Sequence, residues 1–180
     1  MNCTFQISHS GKSRSGMGLV EMMVAGAIAG LVLTAVAMLS MYSAKSFVAM
    51  GNYADLDQAS RNALDNMSRE IRQTQGLNSF SATQLTFQET PSNTLIYVYN
   101  PVARTLIRRR AGVDTVLLQQ CDYLNFHISQ RNPSNAFNFY PAASASVAKM
   151  IDVSWKCSRE ILGAKINTES VQTAKIVIRN

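Results

Sequence analysis

Few residues of this chain have both the type and the spacing that chemistry needs. Histidine occurs only as His9 and His127, and a Ser-His-Asp relay or a zinc site would need partners at spacings the chain does not supply. His127, between Phe126 and Ile128, reads as the solvent-side residue of a strand. Gly163 stands alone, so no glycine-rich phosphate loop is formed. Asn125, Asn132, Asn135 and Asn138, with Asp122 and Asp152, read as polar loops without the spacing of a calcium loop. Arg108, Arg109 and Arg110 could meet phosphates, but nucleic-acid binding normally uses a broader basic surface with aromatics. Three arginines at a hairpin end are more often a solvated cluster guarding a sheet edge. The expectation is a non-enzyme with no metal or cofactor, and with nucleic acid not among its partners.

Two features remain. Glu21 stands at the head of an apolar run: from Met22 to Ala44, a stretch of 23 residues, no side chain is charged. Acidic and basic residues cost roughly 2.5–3.5 kcal/mol at mid-membrane on insertion scales, and less near an interface. Such a carboxylate either marks a function and has a partner, or is solvated among lipid headgroups. The second feature is the cysteine set, Cys3, Cys121 and Cys157.

The apolar run is the element that must position Glu21. As a helix rising 1.5 Å per residue it is about 35 Å long, enough for a hydrocarbon core of about 30 Å. Lys12 and Arg14 precede it and Lys45 closes it. Basic flanks stay cytoplasmic, which predicts a single-pass membrane protein with its C-terminal part facing outward. Cys121 and Cys157 then lie in an oxidising compartment, where they either form a disulfide or remain two buried thiols. The closed loop would span about 36 residues, a bridge that typically contributes roughly 2–4 kcal/mol. Gly26 and Gly30 form a small-xxx-small pair that either lets helices approach closely or is ordinary glycine in a membrane helix. A secretory signal would have a shorter apolar region and a small-residue cleavage site; Met41-Tyr42-Ser43-Ala44 is a poor match. An uncleaved signal anchor accounts for the run and its flank, but not for Glu21.

The segment Gly11-Lys12-Ser13-Arg14-Ser15-Gly16, followed by Met17-Gly18-Leu19-Val20-Glu21 and the apolar run, resembles the signal of type IV pilins and pseudopilins. That resemblance covers roughly residues 11–45. It implies that a prepilin peptidase removes residues 1–16 by cutting between Gly16 and Met17, and that Met17 is N-methylated. It also implies that Glu21 offsets the terminal amine of a neighbouring subunit during assembly. An α-amine and a carboxylate buried together in lipid avoid two unpaired charges. Where the family usually has Phe and then Thr or Ser, this chain has Met17 and Gly18. Where major pilins carry a proline eight residues after a glycine, it has Met38 after Gly30. A straighter helix and a minor rather than major subunit are therefore expected.

Length and composition suit one folded domain behind the anchor. The 180 residues are 47% hydrophobic, which excludes wholesale disorder. The charge is +6. Without residues 1–16, which hold Lys12 and Arg14 and no acid, 15 basic residues face 11 acidic ones, leaving +4. Beyond Lys45, Leu56, Ala63, Leu64, Met67 and Ile71 recur at helical spacing. Arg61–Asp65 and Asp65–Arg69 read as i,i+4 pairs. One helix is predicted from near Met17 to about Gln75, stopped at Gly76.

Runs rich in β-branched and aromatic residues follow at Leu85–Phe87, Thr94–Tyr99, Thr105–Arg109, Thr115–Leu118, Tyr123–Ser129, Met150–Trp155 and Lys175–Ile178. Asn100-Pro101, Ala111-Gly112 and Asn132-Pro133-Ser134-Asn135 separate them as turns. Residues 58–73 and the later strands are loosely similar to W-type minor pilins and J-type pseudopilins.

The predicted fold is α+β and pilin-like, with a long N-terminal helix on one antiparallel sheet. Residues 1–16 are a leader, 17–44 a transmembrane and assembly segment, and 45–180 the periplasmic domain. The resemblance implies a minor pilin that enters a type IV pilus through its helix. The close alternative is a type II secretion pseudopilin, and a third reading is an uncleaved, signal-anchored periplasmic binding domain. Implied partners are the prepilin peptidase, other pilin or pseudopilin subunits, and the inner membrane.

Overall fold

The computed structural model describes residues 18–132, 134, 138–160 and 169–178. Among the described residues one α-helix, α1, runs Leu19–Gln73. Its 55 residues contain no proline, so no backbone donor is lost along the ladder, and the helix passes Met38 unbroken. It ends where the Thr74 amide and hydroxyl both bond the Ile71 carbonyl, at 3.3 and 2.7 Å. Gly76 then opens a strand, close to the predicted stop.

The chain divides into two units, the first ending at Ala44 and the second running Lys45–Asn180. In the first, the apolar side chains from Leu19 to Tyr42 are exposed. In the second, α1 buries Leu56, Ser60, Ala63, Met67 and Ile71. Steps of three and four residues place these on one stripe, while Leu64 is only partly buried beside it. The predicted i,i+4 pairs are replaced: Arg61 bonds Asp57 at 2.7 Å and Arg69 bonds the Asn66 side chain at 2.7 Å. An acid one turn N-terminal to its base is the better orientation, which favours Asp57 over Asp65 for Arg61.

Among the described residues nine strands follow: β1 (Gly76–Phe80), β2 (Gln84–Thr90), β3 (Asn93–Asn100), β4 (Thr105–Arg110), β5 (Val113–Leu118), β6 (Cys121–Arg131), β7 (Phe139–Pro141), β8 (Ala148–Ser158) and β9 (Glu169–Val177). The α+β layout is as read from the sequence, but there are two antiparallel sheets rather than one. Five strands lie in the order β1-β2-β3-β4-β5 and four in the order β7-β6-β8-β9. A continuous core joins both sheets to the stripe on α1, with Phe87, Tyr97, Leu106, Phe126, Val153 and Trp155 among its members.

The turns use specific local chemistry. Asn100 Oδ1 accepts the amides of Val102 and Ala103, both at 3.0 Å, fixing the β3–β4 turn as an Asx type. Between β4 and β5, Ala111 and Gly112 both have positive φ, 49° and 77°, as a two-residue type I′ hairpin requires.

Candidate functional site

Glu21 lies in the first turn of α1 and is exposed. A carboxylate there is favoured by the helix dipole. Gly26 and Gly30 sit one turn apart, and a Cβ built at either meets no atom within 4 Å, so their backbone is open to close approach. Two hydroxyls of the run are satisfied within the helix. Thr34 donates to the Gly30 carbonyl at 2.8 Å and Ser40 to the Val36 carbonyl at 2.9 Å, which removes the cost of carrying hydroxyls into an apolar medium. By length and composition α1 can cross a membrane, and it lies near the N-terminus. Gly16 and Met17, the expected cleavage and methylation positions, lie outside the described residues.

In the second unit the two cysteines come together. Cys121 opens β6, Cys157 lies near the end of β8, and the two are register partners. Both are buried and carry free thiols. Trp155 Nε1 donates to the Ser60 hydroxyl at 3.2 Å, and the Cys121 thiol donates to the Tyr123 carbonyl at 3.2 Å. The neighbouring Cys121 and Ser60 side chains hold the Cys157 thiol below its ordinary range. The neighbouring Cys157, together with burial, pushes the Cys121 thiol up. Beside the pair, Arg104 of the β3–β4 turn bonds the Ser158 carbonyl at 3.0 Å and pairs with Asp122.

A second cluster ties α1 to the five-stranded sheet. Glu70 accepts the Tyr97 hydroxyl at 2.6 Å and Arg108 Nη1 at 2.9 Å. Burial first, and the Glu70 bond second, push the Tyr97 phenol well above its ordinary value. The arginine run does not guard a sheet edge, although Arg109 is exposed as expected of a solvated cluster. β4 is an interior strand, and its arginines are distributed among carboxylates: Arg108 to Glu70, Arg110 to Glu89 and Arg109 to Asp114. The two bonds from Arg109, at 2.6 and 2.7 Å, hold the Asp114 carboxyl below the usual carboxylate range.

His127 is exposed and stands opposite Asp152, which in turn faces Lys175 on β9. A surface hollow is lined by Asp65, Ser68, Arg69, Arg72 and Gln73 near the end of α1. Among the described residues, no three His, Cys, Asp or Glu side chains group to hold a metal.

The sequence reading did not single out Ser60, Glu70 or Tyr97. The spacing did carry a signal for Ser60, which falls between Leu56 and Ala63 on the buried stripe; its polarity masked it. Glu70 and Tyr97 are 27 residues apart, and no local pattern joins them. No family model, curated protein or solved structure matches the chain.

Proposed function

We propose that this chain is a minor pilin: a membrane-anchored structural subunit that enters a type IV pilus-like filament through its N-terminal helix. The observation that carries the reading is the make-up of α1. Its first half exposes a continuous apolar surface headed by Glu21, and its second half is one-faced and covers a sheet core. A helix with apolar residues all round calls for lipid or other helices, whereas a one-faced helix calls for a domain.

In this reading the leader is cut after Gly16, and the C-terminal unit lies outside the cytoplasmic membrane. The new amine at Met17 is neutralised by Glu21 of a neighbouring subunit. Two opposite charges buried together avoid the cost that either would carry alone in lipid. Gly26 and Gly30 let neighbouring helices approach closely.

The test is the N-terminal mass of the protein recovered from membranes of cells with and without the prepilin peptidase. The expected result is an N-terminus at Met17, carrying one added methyl group, only when the peptidase is present. An intact leader in both strains would overturn the reading and leave a signal-anchored domain. Loss of pili, rather than loss of secretion, on deletion of the chain separates the pilus role from that of a secretion pseudopilin.

A further inference from the structure

We propose that Cys121 and Cys157 form a built redox site, in which a disulfide closes across the β6–β8 ladder before the second half of α1 docks and is sealed from reductants once it has docked. The inference rests on the filament reading in one respect, that the C-terminal unit faces an oxidising compartment.

Backbone bonding identifies the kind of cross-strand position the cysteines occupy. Gln120 and Ser158 stand just outside the pair, and the Ser158 amide donates to the Gln120 carbonyl at 3.0 Å. The Cys121 amide turns the other way, to the Arg104 carbonyl at 2.9 Å. The Cys121 carbonyl accepts the Tyr99 hydroxyl at 3.1 Å. The Cys121 amide is thus not spent on β8, and the Ser158-to-Gln120 bond just outside marks Cys121 with Cys157 as a non-hydrogen-bonded pair, next to a register shift between Cys121 and Tyr123. In such pairs the Cα atoms are about 4.5 Å apart and the side chains are at their closest. That spacing lies within the range of roughly 4.4–6.8 Å that a disulfide accepts. The Cys121 thiol now donates to the Tyr123 carbonyl at 3.2 Å, a bond it gives up when the disulfide closes.

Burial fixes the order of events. Cys121 is 0% and Cys157 1% exposed, and Ser60 of α1, itself 0% exposed, is bonded to Trp155, two residues before Cys157 on β8. Thiol–disulfide exchange needs a thiolate to reach the sulfur of its partner, and a docked α1 denies that access. The oxidant is a protein carrying a reactive disulfide. One cysteine thiolate attacks that disulfide, forming a mixed disulfide and releasing one thiolate of the oxidant. The second cysteine thiolate then attacks the first cysteine's sulfur, and the oxidant's other thiolate leaves. Two thiols have lost two protons and two electrons, and the oxidant's disulfide has gained both as two thiols. The resulting bond joins the two central strands of the four-stranded sheet directly beneath Ser60.

The test uses the full-length chain from bacterial membranes, acid-quenched, denatured and alkylated with or without prior reduction, then cut with trypsin. The expected result without reduction is the peptide Ala111–Arg131 joined to Cys157–Arg159, lighter than the two free peptides by two hydrogens. Reduction should separate them into two alkylated peptides. Both cysteines alkylated without reduction would overturn the proposal. In a second arm, a thiol reductant is applied before denaturation. The link is expected to open at least tenfold more slowly in the folded protein than in urea, and equal rates would overturn the sealing step. Protease accessibility of the C-terminal unit in spheroplasts, and the N-terminal mass, are read on the same sample. Alkylated thiols in a processed, outward-facing chain overturn the disulfide alone. Linked peptides in a chain that keeps its leader support the disulfide and count against the filament reading.

Discussion

At the scale of single residues, three side chains hold positions whose loss has a definite sign. Ser60 accepts Trp155 Nε1 inside the core. Ser60→Ala leaves that indole donor buried and unpaired, and should cost about 1–3 kcal/mol in urea denaturation. Tyr97→Phe removes one of two donors to the Glu70 carboxylate and should cost about 1.5–3 kcal/mol, as for hydrogen bonds to charged groups. It should also alter the alkaline limb. Burial and Glu70 raise the Tyr97 phenol, so the folded state holds the protonated form. The stability from this group is complete below the ordinary tyrosine value of about 10 and is lost as pH climbs from there towards the folded value. Stability measured against pH should therefore fall less steeply above about pH 10 in Tyr97→Phe than in the parent. Glu21→Ala belongs to the filament proposal. Leader loss and membrane recovery should persist while incorporation into sheared filaments drops; unchanged incorporation would count against the pairing role.

At the scale of elements, the second half of α1 and the strands show which local signals were readable. The stripe of Leu56, Ala63, Met67 and Ile71 was legible because burial follows helical spacing. β3, β4 and most of β6 and β8 were legible because their residues are β-branched or aromatic. β1 was not: Gly76-Leu77-Asn78-Ser79-Phe80 has weak strand character, and it forms by pairing Leu77 with Phe87 and Phe80 with Leu85. β7 was missed because it is three residues long and ends in Pro141, and it exists through its register with Ser129–Arg131. The first half of β9 buries the polar Ser170 and exposes Val171, so its composition hides its faces, and its pairing with β8 from Trp155 to Ser158 defines it. The β4–β5 turn carries a local conflict, an alanine at φ 49°. A left-handed conformation costs an L-residue with a Cβ roughly 1–2 kcal/mol, and Asn-Gly suits this turn. Ala111→Asn should therefore stabilise the protein by about 0.5–1 kcal/mol on the same turn-chemistry argument, measured as a raised urea midpoint with an unchanged slope.

At the scale of the whole molecule, the chain combines a segment with no buried core and a segment that encloses one. The unit Lys45–Asn180 contains both sheets and every α1 residue in the core cluster. A fragment of that span is expected to be soluble without detergent and to unfold in one cooperative transition, with circular dichroism and tryptophan fluorescence coinciding. The single tryptophan, Trp155, lies in the core and reports on it directly. Separate transitions for the two probes would show that residues before Lys45 contribute to the fold. The full chain, with its exposed apolar helix half, is expected to need detergent.

The sequence by itself determined the features set by one-dimensional spacing. These are a helix long and apolar enough to cross a membrane, a carboxylate at its head, a one-faced continuation, and strands whose composition alternates. Each depends on side-chain transfer free energy repeated at a backbone period, and so can be read locally. Tertiary structure decided what depends on residues far apart in the chain: the division into two sheets, the sharing of Glu70 between Tyr97 and Arg108, and the distribution of three consecutive arginines to three carboxylates. It also placed Cys121 opposite Cys157, 36 positions away. Such pairings follow from strand register and from the closure of one shared core, and no window of local sequence contains both partners.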